Sequence, residues 1–364
     1  MTVSDVQLMK GNEALAEAAI RAGCNAYFGY PITPQSEILE YLADQGRRRG
    51  MIVLQAESEV ASINMVYGGA GAGARVMTSS SSPGVSLMQE GISYIACAEL
   101  PCLIVNVNRG GPGLGTIQPS QGDYFQAVKG GGHGDYRLIV LAPASVQEMA
   151  DFVFEAFDLA DRYRNPVMIL ADGALGQMME KVKFREYVPA DHVPAKPWAT
   201  TGKPASRERN VITSLHIQPE KMEQINIHLQ EKYRTIAVHE TRCEHFLTDD
   251  AEYLIVAYGL AARIAQGAVE MARAQGIKAG LLRPMTLWPF PEKAIRMIAE
   301  RVRGVLVVEM NAGQMVEDVR LAVEGRAPVS FYGRMGGIIP APDEVVRALD
   351  AIVRRDVAQH AEAY

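Results

Sequence analysis

Pro101-Cys102-Leu103-Ile104-Val105-Asn106-Val107 is the stretch whose character decides the fold. It is short, almost wholly apolar and β-branched at Ile104, Val105 and Val107, as a strand buried on both faces must be. Pro166–Ala171 has the same character. A strand with no polar face belongs to a sheet covered on both sides, and parallel strands need helical crossovers that supply the cover. Working outward, those helices are expected over Val85–Ala98 and Ser145–Arg162. Further upstream, Ala26–Tyr30, Met51–Gln55 and Arg75–Thr78 read as strands and Glu59–Gly69 as a helix of small residues. Ser36–Asp44 has helical spacing, with Ile38, Leu39 and Leu42 on one face.

Between about Glu186 and Asp250 the texture changes. Pro189, Pro194, Pro197 and Pro204 fall within sixteen residues, separated by polar ones, which marks a linker, and Pro219–Tyr233 reads as a solitary helix within it. After Ala251 the alternation restarts. Strands are expected at Tyr253–Tyr258, Lys278–Leu282, Gly304–Glu309 and Pro328–Tyr332. Helices are expected at Ala262–Gln275, Glu292–Arg301, Val316–Glu324 and from Pro342 onward. The fold class is α/β: a parallel-sheet domain over 1–185, a linker with a short helix over 186–250, and a smaller α/β domain over 251–364.

A length of 364 residues allows both domains a core of their own. Hydrophobic residues make up 48% and charged residues 21%, the balance of a globular protein rather than a disordered one. Lys plus Arg number 36 against 42 Asp plus Glu, and no basic run exceeds Arg47–Arg49, so neither nucleic acid nor membrane is an expected partner. Cys24, Cys97, Cys102 and Cys243 include no C-x-x-C pair and read as small buried hydrophobes, not cluster ligands. Met1 to Lys10 lacks an apolar targeting core and no apolar run reaches the length of a membrane span, so a cytoplasmic location is expected.

Four segments carry candidate chemistry, each with a plain structural alternative. In Gly29-Tyr30-Pro31-Ile32-Thr33-Pro34 two prolines fix Thr33 at the mouth of a strand, or merely start a helix with Thr33 in solvent. Gln55-Ala56-Glu57-Ser58-Glu59 opens a helix rich in Gly and Ala, which lets a flat ligand approach; its carboxylates also suit a helix N-terminus. The hydroxyls of Thr78-Ser79-Ser80-Ser81-Ser82-Pro83-Gly84 can hold a polar ring edge or simply cap a helix. Arg109, following Asn106-Val107-Asn108 and preceding Gly110-Gly111-Pro112-Gly113, suits a bidentate grip on a carboxylate or a structural ion pair.

In this order the four segments resemble the 2-oxoacid:ferredoxin oxidoreductases, the family that includes the pyruvate enzyme. The likeness continues through Gln118-Pro-Ser-Gln-Gly-Asp123, Arg283-Pro-Met-Thr-Leu-Trp-Pro-Phe-Pro291 and Glu309-Met-Asn-Ala-Gly-Gln314, and so spans essentially the whole chain. Gln55–Glu59, Met77–Gly84 and Gly130-Gly-Gly-His-Gly-Asp-Tyr136 narrow it to the alpha-type chain of the branched-chain (2-oxoisovalerate) enzymes. The resemblance implies a pyrimidine-type thiamine-diphosphate domain followed by a transketolase-C-terminal-like domain. Thiamine chemistry requires a glutamate that binds the pyrimidine ring and favours its imino form. By position Glu59 takes that role, with Glu57 a second candidate and Tyr30, Pro31, Ser81 and Ser82 as cofactor-binding neighbours. Thr33 matches the residue that touches substrate, and Arg109 the one that pairs with the 2-oxoacid carboxylate.

The same resemblance implies that the cofactor is split between chains. Diphosphate and Mg²⁺ are expected on a beta-type partner, consistent with the missing Gly-Asp-Gly…Asn-Asn pattern here, so this chain is expected to hold no metal. A gamma-type subunit and a ferredoxin-like subunit carrying [4Fe–4S] clusters complete the complex. The implied reaction releases CO₂, passes electrons through the clusters to external ferredoxin, and transfers the acyl group to coenzyme A. Three rivals remain: a 2-oxoglutarate enzyme, for which His133 is the sole local cation, a stand-alone transketolase-type enzyme, and a non-catalytic adaptor.

Overall fold

The structure, a computed structural model, describes residues 6–189 and 192–361; the first five residues of the N-terminal stretch read above lie outside the described residues. In chain order the first part contains β1 (Val6–Lys10), α1 (Gly11–Arg21), β2 (Ala26–Gly29), α2 (Ser36–Tyr41), β3 (Ile52–Gln55), α3 (Glu59–Gly71), β4 (Val76–Ser80) and α4 (Pro83–Cys97). It continues with β5 (Cys102–Asn108), β6 (Ile139–Leu141), α5 (Val146–Tyr163), β7 (Pro166–Asp172), α6 (Gly173–Gln177) and β8 (Met179–Lys183). Then come α7 (Pro219–Glu240), β9 (Cys243–Phe246), β10 (Tyr253–Val256), α8 (Gly259–Ala274), β11 (Ala279–Pro284) and β12 (Thr286–Trp288). The chain closes with α9 (Glu292–Ala299), β13 (Gly304–Glu309), α10 (Met315–Val323), β14 (Val329–Gly333) and α11 (Pro342–Ala361).

β5 and β7 are buried at every position and lie side by side, parallel, as their composition demands. They centre a seven-stranded sheet in the order β12-β6-β7-β5-β4-β2-β3. Its strands are parallel except β12, which pairs antiparallel with β6 and comes from the second part of the chain. A five-stranded sheet in the order β14-β13-β10-β11-β9 forms the smaller second layer, parallel apart from its edge strand β9. The stretch expected to be a linker with a short helix is more structured than that. Its helix runs seven residues past Tyr233 to Glu240, and β9 is part of the second sheet. Among the described residues no helix is long and apolar enough to cross a membrane.

Strand order places the ligand crevice. β2 leads through α2 to β3 on one side, whereas β4 leads through α4 to β5 on the other. The carboxyl ends of the adjacent strands β2 and β4 are therefore a topological switch point, where diverging connections leave a cleft. The loops beginning at Tyr30 and Ser81 leave from those two ends, and Arg109 leaves from the end of β5 next door.

Candidate active site

The cleft is built on the start of α4. Pro83 at its first position suits the helix, since proline needs no N–H there. Ser82, its N-cap, sits at φ 29° and ψ −86°, a region non-glycine residues seldom occupy and one that costs backbone strain. Four bonds hold it there. Its amide donates to Asn106 Oδ1 at 3.1 Å, and its hydroxyl donates to Asp123 Oδ2 at 2.6 Å and accepts from the Arg109 amide at 3.0 Å. Asn106 Nδ2 closes the ring by donating to the same Asp123 oxygen at 2.9 Å. Burial lifts the Asp123 carboxyl above the ordinary aspartate range, against the pull of Ser82, Asn106 and Arg109.

Glu59 opens α3, whose N-cap Ser58 accepts from the Ala61 amide at 3.2 Å. Its side chain is buried, and no protein group among the described residues bonds to its carboxylate. The carboxylate lies against Gly84. A Cβ on Gly84 would stand 2.6 Å from Glu59 Oε1 and closer still to Ser80 Oγ, so any side chain there would displace one or both of them. Glu57 is exposed, which separates the two sequence candidates. Around Glu59 the hydroxyls of Thr78, Ser80 and Ser81 are buried and lack a partner among the described residues. Leaving polar groups buried and unpaired costs stability, so such clusters mark places where something else supplies the bonds.

Arg109 is buried, and its Nη1 and Nη2 donate to the carbonyls of Thr33 and Leu114, each at 2.9 Å, while Nε has no partner. The structure thus joins two residues that stand 76 positions apart. It does so through the Thr33 carbonyl: the Thr33 side chain itself is exposed. Tyr30 and Pro31 are half-buried on the same loop, where Gln35 Nε2 donates to the Tyr30 carbonyl at 3.4 Å. Ser82 and Arg109 are joined by a hydrogen bond, and the Glu59 carboxylate lies against Gly84, two residues beyond Ser82. His133 is exposed in its glycine loop and bonds to no described residue.

Sequence patterning missed Asp123, Asn106 and Asn108 as parts of this cluster. Asn106 and Asn108 alternate along an otherwise apolar strand, and two polar side chains in a strand buried on both faces signal a purpose. Asp123 gave no local signal beyond its place in the Gln118–Asp123 motif.

The second domain reaches the same cluster. Gln121 and Met310 exchange two bonds of 3.0 Å, amide to carbonyl and amide to Oε1. Gln314 accepts from the Phe125 amide at 2.8 Å and donates to the Gly122 carbonyl at 2.7 Å. Arg283 binds both oxygens of Glu148, at 2.8 and 2.7 Å. The Arg283 and Glu309–Gln314 motifs are domain-docking devices.

Comparison with known proteins matches this architecture from end to end. Residues 17–245 fit the family model "Pyruvate flavodoxin/ferredoxin oxidoreductase, thiamine diP-bdg", and residues 251–345 fit "Pyruvate:ferredoxin oxidoreductase core domain II". The ketoisovalerate oxidoreductase subunit VorB of Methanothermobacter thermautotrophicus is 54% identical over 91% of this chain and 93% of its own length. The 2-oxoglutarate synthase subunit KorA of the same organism is 38% identical, over 95% and 99%. Among solved structures, a 2-oxoglutarate:ferredoxin oxidoreductase from Magnetococcus marinus, with 2-oxoglutarate, coenzyme A and succinyl-CoA bound, superposes with a TM-score of 0.83 at 26% identity. That likeness covers 97% of this chain, which spans 66% of the other's length. A split-gene transketolase shares the fold alone, at a TM-score of 0.59 and 16% identity over 95% of this chain and 98% of that one. With both halves matched and a relative above half identity over nearly its full length, the chain belongs to the thiamine-diphosphate-binding 2-oxoacid:ferredoxin oxidoreductases, as an alpha-type subunit of enzymes that oxidatively decarboxylate 2-oxoacids.

Proposed function

We propose that this chain supplies the pyrimidine-binding half of a thiamine-diphosphate site in a cytoplasmic branched-chain 2-oxoacid:ferredoxin oxidoreductase, with 2-oxoisovalerate as the favoured substrate. What carries the proposal is Glu59, a buried residue whose carboxylate has no partner among the described residues and sits against Gly84, where a side chain would push it aside. A flat ring bearing a hydrogen-bonding nitrogen fits such a cradle, and the unpaired hydroxyls of Thr78, Ser80 and Ser81 can serve its edge. When bound, thiamine diphosphate supplies the carbon nucleophile and the electron sink for decarboxylation.

The protein's part is to bind, orient and handle the proton. Glu59 would hydrogen-bond a ring nitrogen of the pyrimidine and hold or release the proton there. Tyr30, Pro31, Ser81 and Ser82 frame the ring, and Thr33 faces the substrate from the exposed rim. Arg109 presents its charge and its free Nε–H to the 2-oxoacid carboxylate. Diphosphate and Mg²⁺ fall to a beta-type partner, the [4Fe–4S] clusters to a ferredoxin-like subunit, with a gamma-type subunit completing the complex. Coenzyme A accepts the acyl group and external ferredoxin the electrons.

The preference for a branched-chain acid rests on the greater identity to the ketoisovalerate subunit, 54% against 38% for the 2-oxoglutarate one. Anaerobic viologen reduction by the assembled complex, with coenzyme A and thiamine diphosphate, tests it against 2-oxoisovalerate, 2-oxoglutarate and pyruvate. Fastest reduction with 2-oxoisovalerate is expected. Fastest reduction with 2-oxoglutarate overturns the substrate, and none with any acid overturns the catalytic assignment.

A further inference from the structure

We propose that Asp123 is a positioning residue of this site, acting through Ser82, and that the second domain sets its place. The proposal rests on Glu59 and Arg109 having the roles assigned to them above.

The geometry runs in one line. Ser82 lies two residues before Gly84, the floor against which the Glu59 carboxylate sits. Its hydroxyl has one hydrogen and three acceptors in reach: Asp123 Oδ2 at 2.6 Å, and Asn108 Oδ1 and the Arg109 carbonyl at 3.3 Å each. The short bond to a carboxylate dominates, because charge-assisted bonds are shorter and stronger than neutral ones. A lone pair of the same hydroxyl takes the Arg109 amide at 3.0 Å. One side chain therefore fixes the α4 start beneath Glu59 together with the backbone of Arg109. Without the carboxylate, Ser82 has less reason to remain at φ 29°, and both sides of the site relax together.

Asp123 is in turn held from the second domain. Gly122 before it and Phe125 two residues after it are gripped by one side chain, Gln314, and Tyr124 donates to Asp318 at 2.7 Å. Just upstream, Ser120 donates to the Met310 carbonyl at 3.2 Å and Asn311 donates to the Gln121 carbonyl at 2.8 Å. None of these second-domain groups is bonded to Glu59 or Arg109. Asp123 carries that hold to Ser82, while the same loop also meets the site at Pro119, which bridges to Arg109, and at Gln118, whose carbonyl accepts from the Gly110 amide at 2.9 Å.

The test uses the assembled complex with Asp123→Asn, Ser82→Ala, the double variant and Gln314→Ala. It reads the equilibrium dissociation constant of thiamine diphosphate beside kcat and KM for the 2-oxoacid. Asp123→Asn and Ser82→Ala are each expected to weaken cofactor binding and raise KM by about tenfold, with the double variant no worse than either, since both break one link. Gln314→Ala is expected to move both constants in the same direction by about threefold. A loop with a merely structural role lowers the melting temperature and leaves the constants alone. Constants within about twofold of the parent in Asp123→Asn, or fully multiplicative losses in the double variant, overturn the proposal. If the Asp123 variants fail to assemble, unchanged constants in Gln314→Ala overturn it instead. Glu59→Gln, run alongside, separates the levels. An inactive Glu59→Gln with an unaffected Asp123→Asn removes only this proposal, whereas an active Glu59→Gln removes the reading beneath it.

Discussion

Glu59 and Glu309 are both buried carboxylates where a parallel strand gives way to the next helix, one in each domain. Their surroundings differ completely. Glu309, the last residue of β13, accepts from the amides of Gln314, Met315 and Val316 and from Asn311 Nδ2, at 2.8 to 3.3 Å. It satisfies the donors at the start of α10 and shapes the loop that docks on the first domain. The carboxylate of Glu59, the first residue of α3, receives no hydrogen bond from the described residues. A carboxylate with four donors serves the fold, whereas Glu59, bonded by none of the described residues, keeps its oxygens for the ligand role proposed above.

Glu59→Gln should break the comparison most violently. Turnover of the assembled complex is expected to fall by at least about a hundredfold, the usual scale for losing a proton-handling group. Subunit assembly and melting temperature should hold, because no protein bond is lost. Turnover near the parent value would remove Glu59 from the chemistry. Glu309→Gln should do the reverse. Its new amide would face the Met315 amide and Asn311 Nδ2, donor against donor, and the loss of a buried charged acceptor costs about 3 kcal/mol. A melting temperature lower by several degrees is the expected reading in thermal unfolding. Turnover per folded complex should fall no further than in Gln314→Ala. An unchanged melting temperature would show that the α10 cap is not what stabilises the second domain.

The contrast also explains what was legible in the sequence. β5 and β7 declared themselves because seven consecutive buried positions leave little room for polar residues, and only Asn106 and Asn108 in β5 and Asp172 at the end of β7 depart from that. Glu59, Ser81, Ser82 and Arg109 could be singled out because each lies beyond the end of a parallel strand, where such sheets bind ligands, but their separate roles were suggested only by the family resemblance. α1 was not readable. It is buried on nearly every face, so its alanine-rich sequence has no polar stripe for a helical period to reveal. β12 was missed for another reason: its pairing with β6 joins residues about 145 apart, and nothing local announces a strand that crosses between domains. Asp123 belongs to the same class, since its worth lies in which side chains converge on it rather than in its neighbours along the chain.

Asp172 sharpens the comparison from between the two extremes. It ends β7 and caps α6, its Oδ1 accepting from the Ala174 and Leu175 amides at 2.9 and 3.1 Å, with the Leu260 amide of the second domain also favouring the charged form. Burial nevertheless pushes its carboxyl up from the usual 3.8 to about 6, so three amides only partly offset desolvation. Between those two values the native chain binds a proton that the unfolded chain has already released. Stability contributed by this group is therefore greatest at low pH and is lost as pH rises toward about 6, with no further slope above it. Asp172→Asn carries no proton to lose. The stability of the parent relative to that variant, from urea midpoints across about pH 4.5 to 7.5, should decline up to about pH 6 and then stay level. Parallel curves through that window would mean that the backbone amides offset the burial of Asp172 completely. A decline would place it beside Glu309, whose carboxyl burial likewise lifts against the pull of its donors.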